Sequence, residues 1–149
     1  MTKRELINYC LTYLAVYEDY PFDSGAAHSD DGTWTVMRHH VNKKGFAHIY
    51  ERDGNLCINL KCDPLKSEIL RSVFESVTSG WHMNKHHWIT VRIGGDVPES
   101  ELHDMIQHSY ELTKPKVRNI NDNLFLHRTR EFAVRGEKNI KYDRNRPYG

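Results

Sequence analysis

Three short segments of alternating character follow one another with only turn residues between them: Trp34–Arg38, Phe46–Glu51 and Leu56–Lys61. Asn42-Lys43-Lys44-Gly45 and Asp53-Gly54-Asn55 supply the turn chemistry. Connections this short cannot carry a crossover, so adjacent strands must pair antiparallel, and the three segments predict a meander. Every other part of the chain has to cover, extend or cap that sheet.

The flanking segments supply the covering elements. Thr2–Tyr13 predicts an amphipathic helix, with Thr2 and Glu5 as a capping-box pair and Leu6, Cys10, Tyr13 and Leu14 at helical spacing. Glu18-Asp19-Tyr20-Pro21-Phe22 ends it, because proline disfavours helix in the residue before it. A long loop through Ser24-Gly25 and Asp30-Asp31-Gly32, expected to be mobile in part, leads to the first strand. Asp63 can cap a second helix with Pro64 in its first turn; Leu65, Ile69 and Val73 give its apolar stripe, and it should end near Phe74–Ser76. A weak strand at Val77–His82 and a clear one at Trp88–Ile93 follow, the latter closed by Gly94-Gly95-Asp96. Pro98–Leu112 predicts a third helix with Leu102, Met105 or Ile106, Ser109 and Leu112 inward and Glu99 and Glu101 near its positive end, stopped by Lys114-Pro115. The order is helix, three strands, helix, two strands, helix. Strands grouped in this way indicate an α+β two-layer sandwich with an antiparallel sheet of about five strands and three helices.

A chain of 149 residues suits one domain, expected over residues 1–114, with a C-terminal extension over 115–149. With 38% hydrophobic and 28% charged residues, the composition is that of an ordinary soluble protein. No apolar run approaches the roughly 20 residues that span a bilayer, and the start, Met1-Thr2-Lys3-Arg4-Glu5, lacks the apolar core of a secretory signal, so a cytoplasmic protein with no membrane partner is expected. Cys10, Cys57 and Cys62 have no short pair spacing and read as reduced thiols. The net charge of +1 is unevenly spread: residues 114–149 hold ten Lys/Arg against four acids, leaving −5 on residues 1–113. A basic tail on an acidic body is either an arm for nucleic acid or a solvated segment that docks on its own domain.

The segment Gly80-Trp81-His82-Met83-Asn84-Lys85-His86-His87-Trp88 packs a cation, an amide, three imidazoles and two indoles into nine residues. Core segments are dominated by apolar residues, so this one reads as a site or a loop bearing one. If helices cover one sheet face, alternation sends Ile89, Val91 and Ile93 to the core and Trp88, Thr90 and Arg92 to the open face. Asn59 and Lys61 join them there if Leu56, Ile58 and Leu60 point inward. An aromatic and basic surface suits a ligand with negative charge and flat rings; the alternative is a Trp88 that packs under a loop beside solvated cations.

Five ordered pieces of the chain resemble the YjbR/MmcQ-like family of small bacterial proteins. They are Glu18-Asp19-Tyr20-Pro21-Phe22, Lys44-Gly45-Phe46-Ala47, Asn59-Leu60-Lys61-Cys62-Asp63-Pro64, His82-Met83-Asn84-Lys85 with His87-Trp88, and His108-Ser109-Tyr110-Glu111-Leu112. The resemblance covers residues 1 to about 115 and implies a compact α+β fold of the secretion-chaperone or frataxin-like kind. Members are described as DNA-binding from likeness to a double-wing domain, which is fold analogy. The family's polar signature falls on Lys61, Asn84, Lys85, His87 and Trp88, and no catalytic role comes with it. Typical members stop soon after the third helix, so the basic tail lies beyond what the resemblance implies.

Nucleic-acid binding would set Lys61, Lys85 and Arg92 against phosphates, Trp88 under a base, and Asn84 on a base edge or phosphate. A metal would need His82, His86 and His87, with His39, His40 or His48; the motif contains no carboxylate, and no metal or other cofactor is expected. Catalysis would draw on Lys85, His87 and Cys62, but neither a Gly-rich phosphate loop nor a Ser/His/Asp set supports a reaction class. A protein or peptide adaptor would use the open face, the sheet edges, or the loop Glu18–Phe22, where the competing expectation is that Tyr20 and Phe22 plug under the first helix. The reading is a non-enzymatic nucleic-acid-binding protein, with the adaptor as alternative.

Overall fold

The computed structural model describes residues 1–22 and 34–116 of the chain. Their elements run α1 Lys3–Cys10, β1 Val16–Asp19, β2 Thr35–His39, β3 Gly45–Arg52, β4 Asn55–Lys61, α2 Pro64–Val73, β5 Val77–Ser79, β6 Trp88–Arg92 and α3 Glu99–Thr113. All strands pair antiparallel in one six-stranded sheet of order β1-β2-β3-β4-β6-β5. The expected α+β class and antiparallel meander are present. The loop expected to be mobile falls mostly on residues 23–33, and the basic extension falls past Lys116, outside the described residues.

The extra strand is β1, in the stretch between the expected helix Thr2–Tyr13 and the loop, where no strand is expected. Helix α1 stops at Cys10, after which Ala15 takes a left-handed φ of 54° and turns the chain back. Val16–Asp19 then pairs residue by residue with β2, from Val16 opposite His39 to Asp19 opposite Val36. Four residues carry too little alternation to announce a strand; the unpaired edge of β2 supplies the hydrogen bonds that make one. Tyr13 and Leu14 therefore leave the helix, although Tyr13 still packs on Tyr110 at 4.8 Å between ring centroids.

All three helices lie on one face of the sheet, α1 on β3, α3 on β3 and β4, and α2 on β5 and β6. Leu6 and Ile7 of α1, Met37, Phe46, Ile49, Ile58, Leu60, Ile89 and Val91 of the sheet, and Met105 and Ile106 of α3 fill the space between. Ser109 stitches α3 to the central strands, donating to the Phe46 carbonyl at 2.5 Å and accepting from the Lys61 amide at 2.9 Å. Leu112, expected inward, is exposed; Tyr110 and Thr113 turn in instead, the latter hydrogen-bonded to His39. No helix among the described residues is long and apolar enough to cross a membrane.

Helix α2 forms where expected but faces the other way. Asp63 caps it by accepting from the Leu65 and Lys66 amides, and Pro64 starts it. Yet Leu65, Ile69 and Val73 are 68%, 55% and 63% exposed, while Ser67 and Leu70 are buried against the sheet. The phase is set at the cap, where the Asp63 amide donates to His108 Nε2 of α3 at 3.2 Å, and the small Ser67 allows a close approach to the sheet. The apolar stripe thus runs along solvent. Leu70→Ala should cost about 2–4 kcal/mol, whereas Ile69→Gln, one residue away, should stay within about 0.5 kcal/mol, as read by urea denaturation of both variants. A large loss in Ile69→Gln would mean that this face is covered.

Candidate functional site

Strand alternation gives the sheet a second face that no helix among the described residues covers, and its residues are unlike those of the first. Across the strands it carries Arg38, His48, Tyr50, Arg52, Asn59, Lys61, Trp88, Thr90 and Arg92, with register pairs His48 opposite Asn59, Asn59 opposite Thr90, and Lys61 opposite Trp88. Trp34, just before β2, folds onto the same face, its ring stacked on Tyr50 at 4.2 Å between centroids and 6° between planes.

The β5–β6 loop closes over the middle of this face through one buried amide. Asn59 is fully buried in β4, and its Oδ1 accepts from the Tyr50 hydroxyl and the Thr90 hydroxyl, each at 2.7 Å. Its Nδ2 donates to the Trp81 carbonyl at 2.9 Å, and the Trp81 amide donates to Thr90 Oγ1 at 2.9 Å. The backbone of Trp81 is thereby held at its carbonyl by Asn59 and at its amide by Thr90. Trp81 lies on Tyr50 and Trp34 with centroids 5.2 and 5.9 Å away, and the Arg52 guanidinium sits 4.5 Å from its ring. Gly80 permits the crossing: a Cβ there would come within 2.7 Å of Trp88 Cβ and 3.1 Å of the Trp88 backbone. His82 takes a left-handed φ of 58° as the loop leaves the sheet.

A second aromatic chain runs toward the other end of the strands. His48 stands edge-on to Trp88 at 5.4 Å and accepts at Nδ1 from the Trp34 indole N–H at 3.3 Å. Burial, reinforced by the Arg38 cation, lowers its pKa to about 4, so near neutrality the ring is uncharged and its single proton is on Nε2. Burial also lowers His39, on the helix side, to about 4. Arg38 is tied by Nε to Asp19 at 2.7 Å and by Nη1 to the Lys43 carbonyl at 3.0 Å.

The sequence-predicted residues divide into three groups. Lys61, Trp88 and Arg92 are on the open face, and Arg92 reaches Ser76 Oγ at 3.3 Å. Lys85 and His87 are exposed on the loop, where the His87 carbonyl accepts from the Cys62 amide. Asn84 shapes that loop, its Oδ1 accepting from the His86 amide at 2.9 Å. Trp88 is half-buried, its backbone carbonyl accepting from the Gly80 amide at 2.9 Å and its ring edge-on to His48. Phe22 is not a plug beneath α1: it is 75% exposed and meets Trp34 edge-on at 6.2 Å, while the Tyr20 hydroxyl bonds Glu18 and Arg4. The two expected occupants separate: Tyr20 stays beside α1 through Arg4, while Phe22, three residues past the end of β1, reaches Trp34. Sequence reasoning missed Trp34, His48, Tyr50 and Arg52 as one patch, although the alternation His48, Tyr50, Arg52 along β3 is its signal.

Among the described residues no three His, Cys, Asp or Glu side chains converge as a metal site would require. Cys10 and Cys62 lie in the helix-side core, whereas Cys57, also buried, lies on the open face opposite Tyr50 and Arg92; burial raises Cys10 to about 12 and also raises Cys57 and Cys62, which disfavours the thiolate at each.

Thr90→Val keeps the shape but strands the Trp81 amide, and should cost about 1–3 kcal/mol in denaturant unfolding. Gly80→Ala should cost a similar amount, about 1–3 kcal/mol, and shift tryptophan emission as the loop lifts off. The depressed histidines also fix a pH dependence. Folded His39 and His48 hold their protons more weakly than the ordinary value of 6.5, so the unfolded chain binds more protons between about 6.5 and 4. Their stabilisation is complete above that window and lost as pH falls through it; stability measured from pH 7 to 4 should decline less steeply in His48→Phe.

The chain is similar in sequence and fold to known proteins. The family model named YjbR matches residues 11–112. The uncharacterized protein YjbR of Escherichia coli K12 is 30% identical over 111 residues, 74% of this chain and 86% of that one. The uncharacterized protein YyaQ of Bacillus subtilis is 29% identical over 124 residues, 76% of this chain and 99% of that one. Among solved structures, a Deinococcus radiodurans protein with a DUF419 domain superimposes with TM-score 0.67 at 30% identity, over 84% of this chain and 88% of its own. A Pseudomonas syringae crystal structure gives TM-score 0.63 at 27% identity, over 76% of this chain and all of its own. With the family model spanning most of the sheet and helices, and relatives aligned over most of their own lengths, this chain belongs to the YjbR family.

Proposed function

We propose that the chain is a non-enzymatic protein of the cytoplasm that binds single-stranded nucleic acid on the open face of its sheet. The carrying observation is the patch itself: three half-buried indoles, Trp34, Trp81 and Trp88, stand among Arg52, Arg92, Lys61 and the loop cation Lys85 on the face that no helix of the described residues covers. Indole faces stack on any base, and each stacked base contributes about 1–3 kcal/mol. Lys61 and Lys85 make no ion pair among the described residues, so their charge is available to phosphates. A duplex offers its bases only at their edges, whereas flat rings on a flat sheet suit splayed, unpaired bases. In this reading residues 1–114 are the binding unit, and the basic extension adds only sequence-independent attraction.

The burial of all three thiols, with raised pKa values, supports the non-enzymatic half of the proposal. A protein adaptor is the second reading, favoured by the exposed stripe Leu65, Ile69 and Val73.

Fluorescence anisotropy with single-stranded and duplex DNA and RNA over a salt series separates the readings. Single strands should bind with an affinity that falls as salt rises, in the full chain and in one ending at Lys116 alike. Lys61→Ala should reduce the log–log salt slope by about one, and Trp88→Ala should weaken binding by about 1–3 kcal/mol. No binding at low salt, or binding that ignores both substitutions, would reject the open face as the site.

A further inference from the structure

The apolar side of α2 is a surface that nucleic-acid binding does not use. Leu65, Ile69 and Val73 follow one another at four-residue spacing and stand 68%, 55% and 63% exposed. Leu112 of α3, 44% exposed, extends them. It lies one turn beyond His108, whose Nε2 accepts from the Asp63 amide at the start of α2. Lys66, on the flank of the stripe, is close to the same ring: burial and then the Lys66 charge lower the His108 pKa. The stripe therefore borders the seam between the two helices.

Size decides what can occupy it. As a contact between two copies, three or four side chains fall far short of the roughly 1,000 Å² that a stable association buries. A segment of the same chain needs no such area, because its tether holds it at an effective concentration in the roughly millimolar range. The chain leaves the described residues at Lys116, just past the end of α3 at Thr113. Residues 117–149 follow, and their first run of adjacent apolar side chains is Leu124-Phe125-Leu126. The stretch from Lys116 to Leu124 spans about 26 Å when extended, while α2 is only about 15 Å long, so the run reaches the stripe.

Charge favours the same contact. The run leads directly to Arg128 and Arg130, within an extension of ten Lys/Arg against four acids, whereas residues 1–113 carry −5. Glu68 stands exposed beside Ile69, and Arg71 turns to Ser67 Oγ at 3.4 Å.

We infer that Leu124-Phe125-Leu126 docks on the stripe of Leu65, Ile69 and Val73 and on Leu112, strapping the basic extension to the helix side of the domain. The open face lies on the other side of the sheet, so the strap is independent of strand binding there. A few partly buried apolar side chains give a dissociation constant of about 1 mM, close to the effective concentration of the tethered segment, and the strap is docked about half of the time. Such an occupancy adds little to the stability of the domain, in keeping with the small cost expected of Ile69→Gln. A protein partner for α2 has to displace the strap first.

The test compares the full chain with its triple variant Leu124→Ser, Phe125→Ser and Leu126→Ser by methyl NMR. Resonances of Leu65, Ile69, Val73 and Leu112 should move, those of the buried Ile58 and Ile106 should stay, and the shifts should not depend on protein concentration. In the full chain carrying Ile69→Gln, with the same buried methyls as the check on folding, tryptic cleavage after Arg128 should quicken about twofold, as the undocked fraction rises from about half to nearly all. Exposed methyls that ignore the triple substitution, or cleavage that ignores Ile69→Gln, overturn the strap. Shifts that vanish on dilution overturn it in favour of a second copy. A response to Phe132→Ser with Val134→Ser, and none to the triple variant, overturns the assignment of Leu124–Leu126 as the occupant.

Discussion

The side chain of Asn59 ties the open face together. Fully buried at the middle of β4, it accepts from hydroxyls on β3 and β6 and donates to the backbone of the β5–β6 loop. A buried amide without partners is costly, so each of these groups is constrained by the others' need. The Trp81 backbone has both its amide and its carbonyl engaged in the same ring of bonds. Trp81 consequently cannot leave Tyr50 without exposing two backbone groups and two hydroxyls at once. The loop that carries Lys85 and His87 inherits its position from this clamp.

Around that polar centre the same strands run two chemistries. Ala47 and Ile49 of β3 pack against helices, while His48 and Tyr50 between them build the aromatic layer on the other side. A sheet with one solvated face ordinarily carries small polar residues there; this one carries large rings with cations at their margins. Arg52 over Trp81 and Arg38 beside His48 show the two kinds of group working on each other, one through the ring quadrupole and the other by adding to the burial that lowers the imidazole pKa. A neutral His48 is a hydrogen-bond donor rather than a charge, which sets its role apart from that of Lys61.

Much of this was legible in the chain. Turn residues at Asn42–Gly45 and Asp53–Asn55 and the period-two segments around them led to the meander, and Asp63-Pro64 marked the start of α2. Residues 16–19 carried no sufficient signal, because an edge strand of four residues depends on the hydrogen bonds that its neighbour leaves open. The α2 stripe misled for a related reason. Helical spacing at Leu65, Ile69 and Val73 is real, but the side that faces the sheet was decided by Asp63 against His108 and by the small Ser67.

Composition and spacing by themselves determined the α+β class, the antiparallel pairing and the crowding of polar and aromatic chemistry into residues 80–88, because turns, caps and alternation are local properties of a chain. Only the tertiary structure decided which of those groups share a surface. Trp34 and Trp81 are 47 positions apart by their numbers, yet their rings come within 5.9 Å because β2, β3 and the β5–β6 loop converge on one face. Asn84, which the motif offered as a contact, also shapes the turn of its loop, and His48, which the sequence offered only as a metal ligand, became the inner wall of the patch. Side-chain chemistry is written residue by residue, whereas a site is a matter of distance, and distance follows only after the strands have found their register.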